Sequence, residues 1–152
     1  MRVVVQRVSH AGIMIDGVEG GAIHQGIVVL FGVEVDDTDE HVPWLANKCM
    51  DLRIFEDDEG KMNRSLREIG GGMLIVSQFT LFGNVKKGNR PSFNRSALPE
   101  TAISIYEAFV DFCKTELGKD RVITGSFGAD MKVSLCNDGP VTIFIDSNQR
   151  KF

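Results

Sequence analysis

The stretch GIVVLFGV, Gly26 to Val33, is apolar without interruption and reads as a strand covered on both faces. A second apolar run, Met73 to Val76 in GGGMLIVSQFTLFG, reads as another buried strand. Such strands need a layer on each side. The chain has 152 residues, enough for one domain with a real core and too few for two, so residues 1–152 are taken as a single domain.

The remaining segments supply the cover. RVVVQRV, residues 2–8, has strand composition, and AGIMIDGVEGGAI gives a further short strand with an Asp16-Gly17 hairpin signal. Thr38 is placed to cap a helix starting near Asp39, with Pro43 early enough to be tolerated. Val42, Leu45, Ala46, Cys49 and Leu52 then follow helical spacing. EDDEGKMNRSLREIGGG reads as turn and irregular structure. Pro99 opens a second helix, whose stripe is Ala102, Ile103, Tyr106, Phe109, Val110, Cys113 and Leu117, and Gly118 ends it. Three strands, RVITGSF, MKVSLCN and VTIFIDS, close the chain. The order predicts an α+β fold: a mainly antiparallel curved sheet or partly closed β-barrel with two packed helices.

Composition excludes several function classes. No apolar run is long enough to span a membrane, and MRVVVQRV lacks the features of a signal peptide. Cys49, Cys113 and Cys136 are odd in number and widely spaced, which argues for free thiols in a reducing cytosol. His10, His24 and His41 have no ligand-like spacing, so no metal site is expected. A net charge of -4 argues against a general nucleic-acid coat protein. Yet GNVKKGNRPSFNRSAL, between Gly83 and Leu98, holds Lys86, Lys87, Arg90 and Arg95 and no acid. That loop is either a solvated face or a local phosphate contact.

The usual catalytic signatures are missing: there is no nucleophile elbow and no Walker or dinucleotide loop. Two polar clusters interrupt strands instead. Ser77, Gln78 and Thr80 follow Met73–Val76, which fits either the solvent face of an edge strand or a site. Asn137-Asp138-Gly139-Pro140 breaks the last apolar stretch, and by composition it is ideal turn chemistry.

SQFTLFG, KKGNRPSF and GSFGADMKVSLCNDGPVTIFIDS, together with VVQRVSHAGIMIDG and GIVVLFGV, resemble the D-aminoacyl-tRNA deacylase family from end to end. Gly12 and Met14 depart from the small or β-branched residues expected there, which bears on packing and not on chemistry. The resemblance implies a cytoplasmic homodimer that hydrolyses the ester of D-aminoacyl-tRNA, and of glycyl-tRNA mischarged on tRNA(Ala). It implies shared active sites, with Gly139-Pro140 a cis peptide inserted into the partner's site as a chiral filter. Ser77, Gln78, Phe79 and Thr80 would be catalytic, holding the ester and the terminal adenosine. Phe127, Ala129, Met131 and Arg7 would form the substrate pocket, with Arg7 bracing the partner's Gly-Pro element. Lys86, Lys87 and Arg90 would grip the acceptor end of the tRNA. No cofactor, metal, DNA or membrane enters the implied reaction. The rival expectation is a non-catalytic tRNA-binding protein on the same fold.

Overall fold

A computed structural model describes residues 1–149. The first strand, β1 (Arg2–Ile15), runs through both N-terminal segments read above as separate strands, and it turns at Asp16-Gly17 into β2 (Val18–Ile23). Both turn residues have positive φ, 49° and 81°, as a tight two-residue hairpin requires. Then come β3 (Gly26–Gly32), α1 (Val42–Asp51), β4 (Phe55–Glu56), β5 (Met62–Arg64) and α2 (Leu66–Ile69). The chain continues through β6 (Gly72–Ser77), α3 (Pro99–Leu117), β7 (Val122–Thr124) and β8 (Met131–Asp146). Among the described residues no helix is long and apolar enough to cross a membrane.

One sheet has the order β2-β1-β3-β6-β7, with β8 on the other edge of β1. Contacts between β2 and β7 curl it toward closure. The pairings of β1 with β2, β3 and β8 are antiparallel. Those of β6 with β3 and with β7 are parallel, a departure from the antiparallel reading. The reason is connection length. Both crossovers carry a helix, α1 in one and α3 in the other, which gives the chain room to return in the same direction.

Two further segments differ from expectation. EDDEGKMNRSLREIGGG is not irregular: it forms the β4–β5 hairpin and one turn of helix. Ser65 and Glu68 cap that turn reciprocally, a spacing the sequence carried. MKVSLCN and VTIFIDS join as β8, because both halves pair with β1. Gln6 faces Thr142 and Val8 faces Asn137, so Asp138 to Val141 bulge outward opposite Arg7 alone. The Gly139-Pro140 peptide is cis.

The strand β3 is covered on both faces, as its composition requires. Ile27, Val29 and Phe31 pack with α1 and α3 through Leu45, Cys49, Phe109 and Cys113. Val28 points into the barrel, with Val8, Ile13, Leu74 and Val76. Phe31 and Phe109 stack at 4.5 Å between centroids. Each fully buried side chain of this size contributes about 2 kcal/mol.

Register between β3 and β6 is set where two glycines meet, Gly26 against Gly72. A Cβ on Gly26 would come within 1.9 Å of the Gly72 carbonyl oxygen. On Gly12 it would meet nothing closer than 3.5 Å. Gly26→Ala should therefore cost about 2 kcal/mol or more, and Gly12→Ala close to nothing. Thermal unfolding checks this: a clear drop in Tm is expected for the first and not the second, and equal midpoints would remove the steric argument.

Candidate active site

The parallel strands β3 and β6 end side by side, at Phe31 and Ser77. One more rung follows, the Gln78 N–H donating to the Phe31 carbonyl at 2.7 Å. The chain then tightens into a 3-10 turn, Phe79–Phe82, closed by the Gly83 N–H on the Thr80 carbonyl at 2.9 Å. Gly32 leaves space for this crossing, since a Cβ there would lie 2.8 Å from the Gln78 carbonyl oxygen.

A second loop packs onto the turn. The Ala97 N–H donates to the Val33 carbonyl at 3.0 Å, and the Ser96 hydroxyl donates to the Phe79 carbonyl at 3.0 Å. Phe93 meets the Phe79 ring edge-on at 5.0 Å. The first turns of α3 add Pro99, Ala102 and Tyr106, and the segment from Phe127 to Met131 forms the opposite wall. Together these enclose a cavity of about 680 Å³, a size suited to a small ligand or the end of a larger one.

Tyr106 anchors the back wall. Its hydroxyl donates to the Ile75 carbonyl at 3.0 Å, and the Gly125 N–H donates to the same oxygen at 2.9 Å. Burial pushes the phenol up to about 12, so it stays a hydrogen-bond donor at neutral pH. The lining otherwise offers Ser77, Gln78 and Ser96 as side-chain hydrogen-bonding groups, with Asp130 at the rim, where it pairs with Lys132 at 2.9 Å. Among the described residues no histidine, cysteine, lysine or arginine lines the cavity. Cys49 and Cys113 are buried in the core, where burial pushes the first thiol far up and the second up to about 12. Neither is a nucleophile there. Among the described residues no three His, Cys, Asp or Glu side chains gather as a metal ligand set.

The residues singled out in the sequence fall into five places. Ser77, Gln78, Phe79, Phe127, Ala129 and Met131 meet around the cavity. Thr80 does not line it; its exposed hydroxyl accepts from the Gln78 side-chain amide. Arg7 is also outside. It sits in a smaller polar cavity, nearly buried, donating from Nη1 to the Ile54 carbonyl at 2.6 Å and from Nε to the Asp138 carbonyl at 3.0 Å. It thus braces the 138–141 bulge of its own chain. Gly139 and Pro140 are exposed on that bulge and do not line their own chain's cavity.

Lys86, Lys87 and Arg90 stand exposed on a loop whose base is pinned by reciprocal Asn84–Ser92 backbone bonds. Arg95 is held apart from them by an ion pair with Glu34. Ser96 and Phe93 carry no local signal that would place them in the site, and Tyr106 reads in the sequence as a core residue only.

The pattern of the family described as D-Tyr-tRNA(Tyr) deacylase matches residues 4–146. A curated D-aminoacyl-tRNA deacylase of Akkermansia muciniphila is 56% identical, covering 99% of this chain and 100% of its own. The protein of that name from Opitutus terrae is 55% identical, with the same coverage. Among solved structures, one titled "c-Myc DNA Unwinding Element Binding Protein" superposes with a TM-score of 0.90 at 38% identity, covering 96% of this chain and 98% of that one. One titled as a probable eukaryotic D-amino acid tRNA deacylase gives 0.83 at 22% identity over 95% and 97%, a likeness of fold.

Tyr106 is the single tyrosine of the chain, so its titration is directly visible. The raised folded value means that the protonated phenol favours the native state below the ordinary tyrosine pKa of about 10. That contribution is lost as pH rises toward 12. Absorbance titration of the native protein should give a midpoint near 12, and the unfolded protein one near 10. A native midpoint near 10 would mean that the hydroxyl is not buried as described.

Proposed function

Since the chain belongs to the D-Tyr-tRNA(Tyr) deacylase family, we propose that the cavity around Ser77–Phe79 hydrolyses the ester joining a D-amino acid to the 3′ end of tRNA. The observation that carries this reading is the joining of two distant segments, Ser77–Phe79 and Phe127–Met131, around one cavity in a chain 56% identical to a D-aminoacyl-tRNA deacylase. The products are free D-amino acid and tRNA, and the reaction belongs where charged tRNA is, in the cytoplasm.

The lining favours a mechanism of positioning. Ser77 has no base beside it, and an unassisted hydroxyl is a poor nucleophile. The first N–H groups of a helical turn have no partner within it, and Phe79 and Thr80 begin such a turn. With the Ser77 hydroxyl they are placed to receive the carbonyl oxygen as it gains charge. The 2′-hydroxyl of the terminal adenosine is already adjacent to the ester, so proximity comes with the substrate. Phe79 and Phe127 offer faces for the adenine. Thr80 acts through Gln78, whose amide it holds.

Selectivity for the D-isomer is assigned to Gly139 and Pro140 of a second subunit. They are exposed and lie outside their own cavity, held by Arg7 from behind. Among the described residues the strand that carries them, β8, pairs only with β1, which leaves its other edge open to a partner. A rigid backbone wall excludes an L side chain by clash. It does not exclude glycine, so glycyl-tRNA mischarged on tRNA(Ala) is included as a substrate. Lys86, Lys87 and Arg90 are assigned to phosphates of the acceptor end.

Paired turnover tests the reading. D-tyrosyl-tRNA should be hydrolysed and L-tyrosyl-tRNA spared, while a protein that only binds tRNA would leave both intact. In the same assay, Lys86→Glu with Lys87→Glu should raise KM and flatten its salt dependence. An unchanged salt slope would leave the loop a solvated face.

A further inference from the structure

Behind the wall made by Tyr106 and Phe127 lies another cavity, about 390 Å³, which no step above uses. It runs along α3 and ends on the 124–127 segment, with Glu107, Asp111, Lys114, Thr124 and Ser126 in its lining. Spacings of four and three residues place Glu107, Asp111 and Lys114 on one face of the helix. Among the described residues, no side chain of these five has a hydrogen bond or ion pair. The wall itself is fixed, because Tyr106 and Gly125 both donate to the Ile75 carbonyl. The cavity and the groove therefore share one fixed wall, and the groove's polar groups are free.

The chemistry of that groove is not that of a phosphate site, since two carboxylates face one ammonium. It suits a base edge that presents an amino group. A carboxylate accepts from the N4 amine of cytosine, and a neighbouring ammonium donates to N3 or O2. Uracil would turn a carbonyl toward the carboxylates instead.

We propose that this groove holds the penultimate cytosine of the tRNA 3′ end, with Glu107 and Asp111 accepting from its amino group and Lys114 donating to its ring acceptors. The proposal rests on reading the neighbouring cavity as the site of the aminoacyl-adenosine. Transfer RNA ends in C-C-A, so the nucleotide leaving that cavity is a cytidine. Tyr106 and Phe127 line both the cavity and the groove, which puts the groove within reach of that cytidine.

The test compares two substrates, D-tyrosyl-tRNA and D-tyrosyl-adenosine, which has no cytidine. Glu107 and Asp111 are exposed helical positions, where alanine preserves the helix. Glu107→Ala with Asp111→Ala should lower kcat/KM on the tRNA about tenfold and leave D-tyrosyl-adenosine unchanged. A tRNA with the penultimate cytidine replaced by uridine should lose about tenfold with the wild-type protein and nothing further with the double variant. Equal losses on both substrates, no loss on the tRNA, or indifference of the wild type to uridine would overturn the proposal. Failure of the wild type on both substrates would instead overturn the deacylase reading, and this proposal with it.

Discussion

The parallel pairing of β3 with β6 is the contact on which the site depends. Gly26 against Gly72 fixes the register at one end, since nothing larger fits there. That register brings Phe31 beside Ser77 at the other end and sets the Gln78 N–H on the Phe31 carbonyl. The polar turn therefore begins where the ladder stops. The strand β3 can hold this position because both its faces are buried, one against α1 and α3 and the other inside the barrel. A slip of one residue would exchange those faces and move the turn away from Tyr106 and Ser96.

The same arrangement accounts for a site without an acid or base of the usual kind. The ends of the parallel strands and the turn that follows line the cavity, with α3 and the 127–131 segment on its other sides. What such a pocket supplies is fixed donors and a shaped cavity, the ingredients of electrostatic stabilisation and alignment. In the proposed reaction the reactive hydroxyl comes from the substrate. The protein's polar side chains then serve to hold other groups in place: Ser96 the Phe79 carbonyl, Tyr106 the Ile75 carbonyl, Arg7 the Asp138 carbonyl.

Much of the fold was legible in local pattern. The unbroken apolar run of β3, the Asp16-Gly17 turn, and the Pro99 start and Gly118 end of α3 are signals carried by neighbouring residues. The direction of β6 was not, because parallel pairing depends on how the crossovers pack and not on the strand's own residues. The α2 capping box rests on Ser65 and Glu68 alone, two residues set in a charged, glycine-rich segment with the composition of a loop. In the site, Ser77 and Gln78 stood out as polar residues ending an apolar run. Tyr106 did not, since a tyrosine on a buried helical stripe looks like core until the carbonyl it meets, on a strand far away in sequence, is known. The resemblance implies a place for Arg7 in the pocket and at the partner's Gly-Pro element; within its own chain it lies under the 138–141 bulge, a position set by the irregular register of β1 with β8, which local pattern does not carry.

In the proposed reaction the ester is cleaved by positioning, with the adenosine 2′-hydroxyl assisting and no covalent enzyme intermediate. The direct measurement is single turnover of D-tyrosyl-tRNA ending in adenosine or in 2′-deoxyadenosine, with the quenched protein analysed by mass spectrometry. The deoxy substrate should bind without being hydrolysed, and the protein mass should not change. Normal hydrolysis of the deoxy substrate, or an aminoacyl ester trapped on Ser77 or Thr80, would contradict it.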